Sequence, residues 1–248
     1  DYRETLDADF ESVQGKKFKI NNGDKIKVSS LRTSPSDLIN LFGDIYRPMS
    51  LVYKPNLKLL NLLPSREFFK NTADLVNVLV SRQPLVGGAY EVKVVNWLEA
   101  IQNPLGIENI DLQPRDKIYV LSKLGADQRR QQIDSILSQV KLKTGSNTLD
   151  QTVKVSGNVL FSGEYPLTPN MTLQKLLDLS GGFKKDSDLS NIITLRQTGY
   201  MGDFSPIINA CDLQKTIESC SLRLLPGDRV IVLSQQVESQ RVIQLEPV

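Results

Sequence analysis

Two stretches of the chain, 39–46 and 153–160, are apolar and rich in β-formers, and each is interrupted by one glycine, Gly43 and Gly157. The composition predicts strands, and a glycine inside such a run marks a bulge or a close approach of another backbone. A second short strand is predicted near 50–53 and again near 164–167. Helical spacing follows in both places, with Leu57, Leu59, Leu60, Leu62 and Leu63 in one and Leu173, Leu176, Leu177 and Leu179 in the other. Thr172 is a candidate N-cap, and Ser180-Gly181-Gly182 ends the second helix as a C-cap does. Strands are expected again at 75–80 and 189–195, followed by a variable stretch and then a turn feeding a last strand. Between these two blocks, 126–142 reads as an amphipathic helix. Ile133, Ile136, Leu137 and Val140 form one apolar stripe, expected to dock on a neighbouring unit, while Arg129, Arg130, Gln131 and Asp134 are expected to face water. Residues 143–147 read as a loop.

The blocks are copies of one another. Sliding the chain by 114 positions lays Ile39–Gln83 on Val153–Gln197 without a gap, and thirteen of the 45 pairs are identical. They include Pro55-Asn56 with Pro169-Asn170, Asp74-Leu75 with Asp188-Leu189, and Arg82-Gln83 with Arg196-Gln197. A closing phrase recurs at an offset of 112: Pro114-Arg115-Asp116-Lys117-Ile118 matches Pro226-Gly227-Asp228-Arg229-Val230. A third version, Asn22-Gly23-Asp24-Lys25-Ile26, stands near the start. Internal repetition of this length means stacked supersecondary units. The boundaries expected are the tail of a preceding unit at 1–30, a first unit at 31–123, a helical linker at 124–150, a second unit at 151–236, and the opening of a further unit at 237–248. Strand–strand–helix–strand–strand gives an α+β fold class of tandem β-grasp units, each a small mixed sheet packed on a short helix.

Charge and composition narrow the function. The 30 basic and 28 acidic residues are mixed along the chain and leave a net charge of +2, which does not suggest nucleic-acid binding or a polybasic membrane patch. No apolar run approaches the roughly 18–20 residues of a membrane-spanning helix, and Asp1-Tyr2-Arg3-Glu4 does not open a signal peptide. The absence of histidine removes Ser-His-Asp and Cys-His catalysis and histidine-ligated zinc. Neither a phosphate-binding loop nor a dinucleotide fingerprint is present, so no cofactor is expected. Asp186 and Asp188 form the one carboxylate pair worth weighing for glycosidase chemistry, but they sit where aspartates cap turns. Trp97 falls at a helical core position. Tyr200 and Phe204, in a stretch that reads as a loop, are candidate carbohydrate or subunit contacts. Arg82 and Arg196 are further candidates, for a contact or for an ion pair at the strand end. Cys211 and Cys220, nine positions apart, are compatible with a disulfide or with two small buried hydrophobes.

The second unit carries Val155-Ser156-Gly157-Asn158-Val159, Gly163-Glu164-Tyr165-Pro166-Leu167, Met171-Thr172-Leu173, Ser180-Gly181-Gly182 and Leu225-Pro226-Gly227-Asp228. This ordered set resembles the SLBB (soluble ligand-binding β-grasp) domain, specifically that of outer-membrane polysaccharide export proteins. The first unit is similar through Gly43-Asp44-Ile45-Tyr46-Arg47-Pro48 and Leu112 to Val120. The resemblance spans roughly 15–236. It lacks the family's N-terminal export domain and pore helix, so the sequence is expected to be a periplasmic portion. The resemblance implies a non-enzymatic part of a homo-oligomeric ring exporting capsular or exopolysaccharide. The implied partner is an inner-membrane protein of the chain-length-regulator/tyrosine-kinase type. An oxidising periplasm would favour a Cys211–Cys220 disulfide. Two other readings stay open: a small-ligand module, as β-grasp relatives bind cobalamin, and a carboxylate-based polysaccharide-modifying enzyme.

Overall fold

The structure is a computed structural model that describes residues 37–83, 90–141, 151–198, 204–207 and 221–235. All of these belong to the unit Thr33–Val248. The expected elements at 1–30, 143–147 and 237–248 lie outside the described residues.

Both repeats fold the same way. The first contains β1 (Leu38–Gly43), β2 (Met49–Val52), α1 (Leu59–Leu62), β3 (Ala73–Arg82), β4 (Glu91–Val95), α2 (Trp97–Gln102) and β5 (Lys117–Ser122). After α3 (Ala126–Lys141), the second contains β6 (Thr152–Gly157), β7 (Gly163–Pro166), α4 (Leu173–Leu179), β8 (Ser187–Gln197), β9 (Phe204–Ile207) and β10 (Arg229–Ser234). The sheet orders are β2-β1-β5-β3-β4 and β7-β6-β10-β8-β9, which are the same topology. In each, the first and last strands run parallel at the centre, with Leu41 opposite Ile118 and Val155 opposite Val230. The α+β, β-grasp-like fold expected from the sequence is what forms.

Three local expectations are corrected. Each sheet has a fifth strand, β4 or β9, inside the variable stretch, because edge pairing there tolerates different sequences. The helix at 57–63 contracts to the four residues of α1. Gly43 and Gly157 end their strands rather than interrupt them, in left-handed conformations (φ +104° and +86°). A Cβ there would sit 2.1 Å from the Val120 carbonyl oxygen or 2.0 Å from that of Val232, so the parallel neighbour leaves no room for a side chain.

The two repeats bury their sheets differently. One face of the first sheet packs on its own helix: Ile39, Leu41, Val78, Val80, Ile118 and Val120 share a core with Leu59, Leu62 and Leu63. The opposite face offers Leu79, Tyr119 and Leu121, which join a second core with Ile133, Ile136, Leu137 and Val140 of α3. That same core continues into Val153, Val155, Leu173, Leu176, Ile192 and Val230 of the second repeat. The α3 stripe is thus the cement between a sheet face and the next domain, each fully buried aliphatic side chain contributing about 1.5–3 kcal/mol.

Arg129 overturns the expectation that it faces water. It is 1% exposed. Its Nη1 donates to Asp74 Oδ2 (3.0 Å) and to the Ser122 carbonyl (2.9 Å), and its Nη2 donates to the Leu179 carbonyl at the end of α4. The guanidinium lies 4.7 Å over the Phe161 ring. A buried charge is tolerated only when paired and hydrogen-bonded, and here the partners come from both repeats. Asn77 completes the joint, donating through Nδ2 to Asp74 Oδ2 (3.0 Å) and to the Asp178 carbonyl (3.2 Å).

Arg129→Met should lower unfolding free energy by about 3–5 kcal/mol, because it strands the Asp74 carboxylate in the interior. Arg129→Met with Asp74→Leu should recover a large part of that loss. Urea unfolding of the two single variants and the double variant checks this, and strictly additive losses would contradict it. Gly157→Ala should cost at least about 2 kcal/mol by the same measurement, from the left-handed backbone and the clash together.

Candidate functional site

The joint leaves a groove on one side. Its floor is Arg129 and Tyr165, and its walls are the first half of α3 and the turn between β6 and β7. That turn is held from below: Leu160 N donates to the Gly182 carbonyl (3.0 Å), Phe161 N to the Ser180 carbonyl (2.9 Å), and Tyr165 Oη to the Phe161 carbonyl (2.6 Å). The Gly-Gly pair found only in the second repeat has a local cause. Gly181 has φ +82°, and a Cβ on it would lie 2.6 Å from the Phe161 ring. Gly181 therefore leaves room for the Phe161 ring, against which the Arg129 guanidinium lies.

The rim is polar. Asp127, Arg130 and Asp134 on α3 and Ser162 on the turn are exposed, and Glu164 is half-buried beside them. Arg129 Nε, buried at the floor, has no hydrogen-bond partner among the described residues. Burial alone would raise the Glu164 carboxyl, but the Thr152 hydroxyl (2.7 Å to Oε1) and the Lys141 ammonium (2.9 Å to Oε2) outweigh it, so its pKa is lowered. Burial pushes the Tyr165 hydroxyl up to about 12 despite the opposing field of Arg129. Glu164 is thus an anion and Tyr165 a neutral donor at physiological pH. Neither is poised near neutrality, as a general acid or base would be. The groove holds about 170 Å³, below the roughly 300 Å³ at which pockets begin to enclose small molecules. Such a space suits one ring of a longer molecule, with carboxylates, hydroxyls and guanidinium offered to its hydroxyl groups.

A second concavity of about 250 Å³ opens beside the far end of α3, lined by Asn40, Ser81, Tyr90, Arg115, Lys117 and Gln139 among others. Tyr90 Oη (2.9 Å) and Lys117 Nζ (2.8 Å) both donate to Gln139 Oε1, and burial pushes the Tyr90 hydroxyl up to about 12.

The residues singled out in the sequence are distributed as follows. Arg82 binds Asp116 with both arms (Nε to Oδ1 2.9 Å, Nη2 to Oδ2 2.8 Å) and donates to the Asp111 carbonyl (2.9 Å). Arg196 repeats this on Asp228 (2.9 and 2.7 Å) and on the Arg223 carbonyl (3.0 Å). Each aspartate also caps its own turn, accepting from Gln113 N or Leu225 N at 2.8 Å. These guanidinium groups tie the strand before the variable stretch to the turn of the closing phrase, and the Arg82 side chain is only 10% exposed. Phe204 sits on the outer strand β9 with the Arg229 guanidinium 4.0 Å from its ring centre. It is not part of the groove. Trp97 is in the core, edge-on to Phe69 (4.8 Å) and donating from Nε1 to the Leu63 carbonyl (2.8 Å). Asp186 is exposed, while Asp188 Oδ1 accepts from Ser190 N and Oγ (3.0 and 2.6 Å). Tyr200, Cys211 and Cys220 lie outside the described residues. The groove residues were not read as a site in the sequence, where Arg130 and Asp134 stood only as a solvated helix face and Glu164-Tyr165 only within a repeat phrase, because they come together only when α3 meets the second repeat.

Among the described residues, no helix is long and apolar enough to cross a membrane. A search of the curated proteins finds no match to the chain. A family model, the SLBB domain, matches residues 151–232, which run from just before β6 into β10 and contain one wall of the groove. Taken with the β-grasp-like sheet that these residues build, the match makes residues 151–232 an SLBB domain.

Proposed function

We propose that the chain is a non-enzymatic, carbohydrate-contacting part of a polysaccharide export protein, and that the groove at the joint is where the polymer touches it. The observation that carries this is the groove, built partly from the SLBB domain, which is a binding module. It combines carboxylates, a guanidinium edge and hydroxyls in a space the size of one sugar ring. In this reading the repeats are spacers and subunit contacts in a homo-oligomeric periplasmic ring. They pass capsular or exopolysaccharide outward from an inner-membrane partner of the chain-length-regulator/tyrosine-kinase type. A shallow polar groove favours weak, repeated contact, which suits a polymer that must keep moving.

The volume speaks against a small-ligand module of the cobalamin-binding kind. The lowered Glu164 pKa and the raised Tyr165 pKa speak against hydrolysis at this groove.

Titrating the chain with oligosaccharides of its host's capsular or exopolysaccharide, followed by two-dimensional NMR, should move amide signals of 126–134 and 160–165 with a millimolar dissociation constant. Asp134→Asn should weaken that binding severalfold without changing unfolding. No shifts at millimolar repeat units, or shifts confined elsewhere, would sink the groove as the contact site.

A further inference from the structure

The two closing turns share a backbone conformation but differ in the residue that adopts it. Arg115 and Gly227 correspond at the offset of 112, and both are left-handed, with φ 71° and 83°. Gly23 stands at this place in the third version of the phrase. A side chain is disfavoured in this conformation, so glycine is the residue the turn itself favours. An arginine held there points to a role outside the turn.

Arg115 lines the concavity of about 250 Å³ beside the far end of α3. It is half-buried, and its guanidinium makes no hydrogen bond or ion pair among the described residues. Lys117 lines the same space, and its partner there is the neutral Gln139 Oε1 (2.8 Å). Asp116, between the two in sequence, does not neutralise them. Its carboxylate is buried and taken up by Arg82 and Gln113 N. Among the described residues that line the concavity none is acidic, so two cations meet it without a counter-charge.

Neutral donors stand beside them. Ser81 Oγ is buried and completes no hydrogen bond among the described residues, though it lies near enough to the Tyr90 hydroxyl to oppose the rise in its pKa. Ser50 Oγ donates to Asn40 Oδ1 (2.6 Å), which leaves the Asn40 amide its N–H groups to offer. The second repeat keeps none of this. Ser81 is replaced there by Leu195 and Arg115 by Gly227, and Arg229, the counterpart of Lys117, lies over the Phe204 ring.

We propose that this concavity is an oxyanion site, taking a carboxylate or phosphate group on the Arg115 and Lys117 cations with the Ser81 hydroxyl and the Asn40 amide as neutral donors. The guanidinium fork matches the oxygen spacing of either group, and the ammonium adds a point charge. The group is either free or carried on a chain, and the recognising chemistry is the same. The site shares no residue with the groove at the joint, so either can fail without the other.

Titration of the full chain at low ionic strength, followed by two-dimensional NMR, tests this with inorganic phosphate, trigalacturonate and neutral maltotriose. One or both anions should shift the signals of Asn40, Ser81, Arg115, Lys117 and Gln139 with a millimolar dissociation constant, and maltotriose should leave them in place. Shifts with trigalacturonate alone would assign the site to a carboxylate carried on a chain, and shifts with phosphate alone to a free or phosphate-borne anion. Arg115→Gly and Lys117→Gln should each weaken the binding by at least about fivefold. Arg115→Gly should not lower the urea midpoint, whereas an arginine kept for the fold would lower it on removal. No shifts with either anion at about 20 mM, equal shifts with maltotriose, or unchanged affinity in Arg115→Gly would each overturn the proposal.

Discussion

One guanidinium group sets how the two repeats meet. Arg129 sits in the interior between them, and its hydrogen-bonding arms and its face reach four separate elements. Two partners lie on the first sheet, one is the end of α4, and one is the ring of Phe161 at the β6–β7 turn. A methionine would replace the aliphatic stem but stop short of the guanidinium position and satisfy none of these acceptors. Hydrophobic packing brings α3, the sheet and the second repeat together but is non-directional. The planar fork of an arginine accepts only a narrow range of geometries, so it fixes the rotation of one domain against the other. The carbonyl at the end of α4 is also where the helix dipole most favours a cation.

The groove is a by-product of that fixation. Phe161 is drawn down against Arg129 and fits only because Gly181 has no side chain. The turn that carries it is pinned by three hydrogen bonds, and α3 forms the opposite wall. Lys141 at the far end of α3 reaches Glu164 on β7 and adds an ion pair across the joint. It is partly exposed and contributes at most about 1 kcal/mol, so it trims the joint rather than holding it. Geometry set at a buried charge is thereby handed to a polar surface a few ångströms away.

The sequence showed the fold more fully than the site. The 114-residue offset paired both glycines and both helices, an offset of 112 paired both closing turns, and these appear as the same topology in two sheets. Asn56 and Asn170, identical in the repeat, both adopt left-handed backbone (φ 63° and 55°). The edge strands β4 and β9 were missed because an edge strand is held by backbone pairing on one side, which leaves little pattern in its residues. Arg129 was misread for a different reason. Its place one turn before Ile133, in line with Ile136 and Val140, puts it on the buried stripe of α3; its charge alone argued for water, and only the acceptors on three other elements make its burial tolerable. The partners of Arg82 and Arg196 were within reach, since the arginine and the aspartate of the closing phrase both recur, and a pair of repeated opposite charges invites the pairing that forms.

Repetition also constrains where function can sit. A surface belonging to one β-grasp unit would be expected in both copies, with equivalent residues. The groove has no such twin within the first repeat: Gly181-Gly182 is replaced there by Glu67-Phe68, and Phe161 by Arg47. What repeats instead is the joint machinery, namely the aspartate early in the long strand, the closing turn with its ion pair, and the glycine against the parallel neighbour. Selection for stacking explains features shared by both copies, while selection for contact with something else explains features present at one joint only. The polar rim, Phe161 and the Gly-Gly turn fall in the second class, and this separates them from the scaffold.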